Sequence, residues 1–482
     1  MTYYLAIDIG ASSGRHILGH LEKGQMVLEE IYRFDTLQIP KDSHDCWDID
    51  GLWRSICEGL KACKAADKVP VTMGIDTWAV DFILLDGQGR PVGDAVAYRD
   101  RRTEGMEELV EKMISPDELY VRTGIQKQMF NSIYQLTAIK KENPEQLAAA
   151  RRFLMIPEYF NYLLTGVLQN EYTNATSTGL VNARLKTWDT QIIEKLGLPM
   201  EIFGPLAMPG KRLGHFTQTV QKEVGFNSTV LLPATHDTGS AFLAVPARDD
   251  VAVYISSGTW SLLGVENSEP ITTEGSRLQN FTNEGGYQYR FRFLKNIMGL
   301  WMIQSIRREI NGVSYVAGKG GSHTENKTEI SFAELEECAR TAGEFASVVD
   351  VNDESFLAPD SMIDAVKEYC RKSGQAIPAS VGELIHCVYK SLAYCYANAI
   401  KNLSQITGKK YTTINIVGGG SKDGYLNEMT AKATGLPVFA GPAEGTALGN
   451  LMVQMIASGA YSDLTAARCA IKESFQIKEI TQ

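Results

Sequence analysis

The stretch Ala6-Ile7-Asp8-Ile9-Gly10-Ala11-Ser12-Ser13-Gly14-Arg15 decides how the rest of the chain is read. An apolar strand runs into an acid and then into a turn of small residues bounded by two glycines. Gly10 and Gly14 permit a tight reversal between strands, and the amides of Ala11 to Gly14, with the Ser12 and Ser13 hydroxyls, are donors suited to phosphate oxygens. Asp8 stands at the strand's carboxyl end, where a carboxylate can hold Mg²⁺ through water. The design recurs at Val251-Ala252-Val253-Tyr254-Ile255, which leads through Ser256-Ser257-Gly258-Thr259-Trp260-Ser261 into Leu262-Leu263-Gly264-Val265. Two such openings predict two related domains. Neither loop has the pattern Gly, four residues, Gly-Lys-Ser/Thr, and no Gly-x-Gly-x-x-Gly follows a strand, so for either loop alone a plain hairpin is the alternative.

A chain of 482 residues exceeds what one hydrophobic core usually serves, which agrees with two domains. Its 44% hydrophobic and 22% charged content is globular, and a net charge of −10 disfavours a nucleic-acid or anionic-membrane surface. A small-molecule partner is expected. Met1-Thr2-Tyr3-Tyr4 enters a strand directly, without the basic and apolar regions of an export signal, and no apolar run reaches the roughly 18 residues of a membrane span. The expected location is the cytoplasm. The eight cysteines include no Cys-x-x-Cys pair and read as reduced core residues. The seven histidines show no metal-ligand spacing, and no Gly-x-Ser-x-Gly elbow supports a serine hydrolase.

Further along, Gln25 to Phe34 alternates as a third strand, and Leu52, Ile56, Leu60 and Cys63 form the buried stripe of a helix capped by Asp50. Val71 to Ile75 reads as a buried strand ending at Asp76-Thr77-Trp78, with Phe82 to Leu85 returning. Ligands of open α/β sheets collect beyond the carboxyl ends of strands, which makes Asp76 to Asp81 a candidate substrate wall; closure of a sheet edge is the alternative. Tyr98-Arg99-Asp100-Arg101-Arg102 is a solvated face or a cleft lining. A helical region from Glu104 to about Leu147, a short helix from Pro157 to Leu164 and the polar stretch Asn170 to Leu180 read as an inserted subdomain. The strand Val230 to Ala234 points at Thr235-His236-Asp237-Thr238-Gly239-Ser240, the best catalytic candidate if it lies in a crevice between domains; the alternative is that Asp237 caps the next helix. Pro246-Ala247-Arg248-Asp249-Asp250 is the expected boundary and hinge, dividing the chain into 1–245 and 246–482. Beyond it come Asn283-Glu284-Gly285-Gly286, a helix from about Leu294 to Ile310, and an irregular stretch including Gly318 to Ser322. A long helix from near Gly382 to Gly408 follows, then the strand Thr413 to Val417 running into Gly418-Gly419-Gly420, where a flat nucleoside ring can approach the backbone.

Asp8-Ile9-Gly10 with its loop, Ser257-Gly258-Thr259, Val417-Gly418-Gly419-Gly420 and the Asp237 segment, in this order over nearly the whole chain, resemble the FGGY carbohydrate kinases of the actin-like ATPase superfamily. Ala11 to Arg15, Gly74 to Phe82, Tyr172 to Thr176 and Lys295 to Trp301 resemble in particular the members that act on L-rhamnulose. The resemblance implies an α/β fold of two ribonuclease-H-like domains flanking an interdomain catalytic cleft, the first binding mainly sugar and the second mainly ATP. It implies Asp237 as general base, with Ala79, His236, Thr238 and Asn296 at the sugar. Ala11, Ser12, Ser13, Gly14, Arg15, Thr259, Gln304 and Gly419 match ATP contacts, and Asp8 matches the acid that holds Mg²⁺ through water. The implied reaction is ATP-dependent phosphorylation of L-rhamnulose at its C1 hydroxyl. L-Fuculose or xylulose as substrate, a non-catalytic sugar sensor and an actin-like filament protein are the alternatives. Ala79 is a departure, because the members it resembles carry glycine there, and its methyl narrows the wall.

Overall fold

In the computed structural model the described residues are 1–247, 251–312, 329–357 and 359–481. Residues 248–250 of the expected hinge and the Gly318 to Ser322 stretch lie outside them. The opening segment forms the expected hairpin: Tyr3–Ile9 pairs antiparallel with Ser13–Glu22, setting Asp8 opposite Arg15 and Ile9 opposite Gly14. The glycines serve differently from the expectation, since neither has a positive φ. At Gly14 a Cβ would fall 2.2 Å from the Phe34 ring, so packing rather than the turn requires glycine there.

The hairpin belongs to a six-stranded sheet in the order Arg212–His215, Thr229–Leu231, Pro70–Thr77, Tyr3–Ile9, Ser13–Glu22, Gln25–Asp35. Three adjacent strands, Tyr3–Ile9, Pro70–Thr77 and Thr229–Leu231, run parallel, so their carboxyl ends share one edge. Asp8 stands beside Asp76 in that register. The Thr77 amide donates to the Thr235 carbonyl at 2.9 Å, bringing the chain after Thr229–Leu231 to the same edge. The helix Ile49–Ala65 is capped by Asp48, not Asp50, because the Asp48 carboxylate accepts from the Gly51 amide at 2.9 Å; Asp50 lies in the first turn.

By its contacts the chain divides into two units. The first is Met1–Pro246 with Glu266–Leu294 and Gly445–Ser474; the second is Ala247–Val265, Lys295–Glu444 and Phe475–Gln482. The late helix Gly445–Ala457 joins the first unit through Asn450 and Gln454, four residues apart and so on one face. Asn450 Nδ2 donates to the Gly74 carbonyl at 3.1 Å and Gln454 Nε2 to the Leu5 carbonyl at 2.9 Å. Phe82–Leu85 does not return along its predecessor; it pairs antiparallel with Arg152–Met155. The helical region divides into Met106–Glu111, Pro116–Thr123, Ser132–Glu142 and Pro144–Ala149, broken at Pro116, Gly124 and Pro144. Phe153, Trp188 and Phe203 pack in the core of this subdomain.

In the second unit Ala252–Ser257 and Trp260–Asn267 form the second hairpin, and Ala252–Ser257 runs parallel to Thr413–Val417. The hairpin-plus-parallel-strand pattern of the first unit thus recurs. The helix expected from Leu294 begins at Trp301 instead, because Phe291–Met298 is a strand paired with Thr282–Gly285. The helix Val381–Thr407 starts at a capping box of Ser380 and Glu383 and ends at Gly408, whose φ of 67° suits glycine. All eight cysteines are free thiols, with Cys469 exposed. Among the described residues no helix is long and apolar enough to cross a membrane.

Candidate active site

The shared sheet edge of the first unit gathers Asp8, Asp76 and Asp237. Asp8 is 7% exposed and accepts from Arg15 Nη2 at 2.7 Å. Asp76 is fully buried and accepts from Asn450 Nδ2 at 2.5 Å. Burial, then the Asp8 charge and also that of Asp237, push the Asp76 carboxyl well above its ordinary range. Asp237 is the first residue of the helix Asp237–Leu243, so it does not cap that helix; His236 occupies the cap position. A quarter of its side chain remains exposed (25%). Its carboxyl is pushed up to about 6, first by burial and further by Asp8, against the pull of His236 and Arg292. A carboxylate tuned this way, open on one side, can accept a proton near neutral pH.

The polar stretch Asn170 to Leu180 is wholly buried and serves the same edge. Glu171 Oε2 accepts from the Thr235 hydroxyl at 2.7 Å and its amide at 3.2 Å, fixing the residue before His236. Thr176 Oγ1 accepts from the Gly285 amide at 2.8 Å, which ties in the Thr282–Gly285 strand. Along that strand and its partner come Glu284 and Arg292, two buried charged residues that nothing in the sequence gives reason to place beside His236. Arg292 is 1% exposed and its Nη2 lies 3.0 Å from Glu284 Oε2. Nη2 also meets His236 Nδ1 at 3.1 Å, and Nη1 donates to Thr238 Oγ1 at 2.8 Å. The only signal in the sequence was Asn283-Glu284-Gly285-Gly286, an acid beside glycines without a visible partner.

Within the wall Asp76 to Asp81 only Ala79 is half-buried; the other five are buried. Val80 is a β-branched residue at φ 67°, an unfavourable backbone conformation. Its carbonyl is held by the Ser132 hydroxyl at 2.5 Å. Asp81 serves this turn as an anchor, accepting from the indole N–H groups of Trp47 at 2.6 Å and Trp78 at 2.9 Å, the Tyr98 amide at 3.1 Å and Gln135 Nε2 at 3.0 Å. Ala79 is therefore presented by a rigid frame. Of the charge run that follows, Asp100 caps a short helical turn, while the Arg101 side chain is 92% exposed.

The second unit holds Thr259, Asn296, Gln304 and Gly419. The carbonyls of Gly258 and Thr259 accept from the amides of Leu300 and Trp301, both at 3.0 Å, docking the start of the helix Trp301–Asn311 on the hairpin turn. Gln304 lies one turn into that helix. The three glycines separate by role: a Cβ at Gly418 would meet the Ser257 carbonyl at 2.8 Å and one at Gly420 the Ser257 hydroxyl at 2.0 Å, whereas Gly419 faces open space. Asn296 lies on the strand Phe291–Met298.

The model of the FGGY family of carbohydrate kinases matches twice, its N-terminal domain at residues 3–244 and its C-terminal domain at 253–458. The chain belongs to the FGGY family of carbohydrate kinases. It is a sugar kinase with ATP as co-substrate, on the two-domain α/β fold of the actin-like ATPases. Among curated FGGY relatives, the rhamnulokinase of Halalkalibacterium halodurans is 49% identical over 99% of this chain and 98% of its own length. That of Oceanobacillus iheyensis is 48% identical over 98% and 97%, and that of Bacillus subtilis 41% over 99% and 95%. Among solved FGGY-like folds, ligand-bound xylulose kinase from Lactobacillus acidophilus superposes with TM-score 0.77 at 17% identity, over 100% of this chain and 94% of that one. Glycerol kinase with ADP from Plasmodium falciparum gives 0.73 at 14%, over 99% and 94%. At such identities these two bear on the fold alone.

Proposed function

We propose that the chain transfers the γ-phosphoryl group of Mg-ATP to the C1 hydroxyl of L-rhamnulose, giving L-rhamnulose 1-phosphate and ADP. The observation that carries this reading is near-full-length similarity to rhamnulokinases, at up to 49% identity. The first unit supports it with Asp237. As the C1 oxygen attacks the γ-phosphorus, its proton passes to the Asp237 carboxylate, and the bond from the γ-phosphorus to the β,γ-bridging oxygen breaks to release ADP. His236, Thr238, Ala79 and Asn296 are assigned to the sugar, which places sugar binding mainly in domain 1–245.

Nucleotide binding is assigned mainly to domain 246–482. Thr259, Gln304 and Gly419 line its side of the nucleotide, and open space at Gly419 fits a ring lying on the backbone. Ala11, Ser12, Ser13, Gly14 and Arg15 are assigned to the phosphates. No group of three or more His, Cys, Asp or Glu side chains among the described residues can ligate a metal directly. Asp8, nearly buried and held by Arg15, is assigned to a Mg²⁺ ion through water, and that ion would neutralise phosphate charge.

A panel of ketoses with ATP, scored for ADP release, tests the substrate: L-rhamnulose is expected to show the highest kcat/KM, and a preference for L-fuculose or xylulose would reject it. Asp237→Asn is expected to bind sugar and ATP while turnover falls about 10²–10⁴-fold, the usual scale of general-base help. Calorimetric binding and steady-state rates on one preparation check this, and turnover within threefold of wild type would remove Asp237 from the role.

A further inference from the structure

We propose that Arg292 is a positioning residue that sets the hydrogen-bond polarity on both sides of Asp237, holding the neutral His236 ring as its Nε2–H tautomer and leaving the Thr238 hydroxyl as a donor toward the sugar. The inference rests on Asp237 being the base at the sugar. A guanidinium carries five N–H donors and no acceptor. Arg292 Nη2, 3.1 Å from His236 Nδ1, obliges that nitrogen to accept. In a neutral imidazole the proton then sits on Nε2. Nε2 lies 3.0 Å from Thr238 Oγ1 and 3.5 Å from Asp237 Oδ1. Thr238 Oγ1 accordingly accepts twice, from His236 Nε2–H and from Arg292 Nη1 at 2.8 Å, which fills both lone pairs of a hydroxyl. Its own hydrogen is left to donate, and the Thr238 side chain is half-buried rather than sealed.

The opposite tautomer reverses the whole set. An Nδ1–H would point at a guanidinium that can only donate, with Glu284 Oε2 at 3.2 Å as the acceptor nearby. Thr238 would then give its hydrogen back to His236 Nε2, and its hydroxyl would no longer donate toward the sugar. A buried charge of this kind is costly unless paired, and here Glu284 pairs it while the Gly285 carbonyl accepts from Nε at 3.1 Å. An apolar side chain would fill the space without that cost. The Asp237 side is ordered too, since its Oδ1 accepts from the Thr238 amide at 2.6 Å, leaving Oδ2 for the sugar's proton.

The tautomer is read directly, without substrates, from two-bond ¹H–¹⁵N correlations of ¹⁵N-histidine-labelled enzyme at a pH where the ring is neutral, with His236→Gln assigning the signal. The expected result is Nε2–H; an Nδ1–H ring overturns the proposal whatever the variants do. In steady-state kinetics, Thr238→Val should lose at least 10-fold in kcat/KM for the sugar with the ATP KM unchanged, and Thr238→Ser should restore it. Arg292→Lys, which keeps the charge but not the fork, should raise the sugar KM at least 10-fold and shift the ring toward mixed tautomers. Wild-type sugar kinetics in either Thr238→Val or Arg292→Lys overturns the proposal. If the wild type phosphorylated no ketose, the functional reading would fail while the tautomer result still stood.

Discussion

At the scale of single residues, Asp237 and Asp81 show one carboxyl chemistry put to two uses. Both are pushed up to about 6 chiefly by burial. Asp81 is 1% exposed and surrounded by four donors, so its charge is spent on holding Trp47, Trp78, Tyr98 and Gln135. Asp237 keeps a quarter of its surface and can meet a substrate. Between these roles stands Ala79, whose methyl is presented by a turn too constrained to retreat. In a close pocket one methyl discriminates by about 1–3 kcal/mol, and in an open one by almost nothing. Ala79→Gly is therefore expected to leave L-rhamnulose phosphorylation nearly intact while raising relative kcat/KM for L-fuculose or L-xylulose about 10-fold, with the ATP KM unmoved. Assays of the three sugars side by side decide it, and unchanged ratios would show that the methyl does not touch substrate.

At the scale of elements, the helix Asp237–Leu243 is seated by another helix, Gly445–Ala457. At Gly449 a Cβ would lie 1.8 Å from the Ser240 carbonyl oxygen, so the two backbones meet directly. Gly449→Ala must push the elements apart, at a cost of about 1–3 kcal/mol by the usual scale of overpacking, and it displaces the helix that begins with Asp237. Urea unfolding should show that loss and turnover should fall with it. Gly419→Ala, made in open space, should unfold within about 0.5 kcal/mol of wild type. Equal stability of the two variants would contradict the close approach. Element type was legible wherever the pattern was local, as at Val381–Thr407 with its cap and terminal glycine. It failed at Leu294, where apolar residues compatible with a helix belong to a strand, because pairing with Thr282–Gly285 outweighs local preference.

At the scale of the whole molecule, buried ionisable groups give stability a dependence on pH. Glu158, 1% exposed, is pushed up to about 8 by burial. A raised carboxyl contributes stability that is full below its unfolded value near 4.5 and lost as pH rises through the folded value. His16, fully buried and lowered to about 3, works in reverse, its contribution being full above 6.5 and lost as pH falls. Between about pH 7.5 and 8.5 His16 is nearly silent, and the unfolding free energy should fall by on the order of 1 kcal/mol as Glu158 titrates. Urea titrations at the two pH values check this, and a rise would contradict it. The amino-acid sequence by itself determined the two hairpins, the strand before Asp237, the glycine triplet and the family, because turn chemistry and hydrophobic period are properties of a few neighbouring residues. Only the tertiary structure decided that Asn450 holds Asp76, that Glu171 holds Thr235 and that Arg292 reaches His236 across 56 positions. Those choices follow from sheet register and from the need of each buried charge for a partner, and no local pattern records which distant residue will supply one.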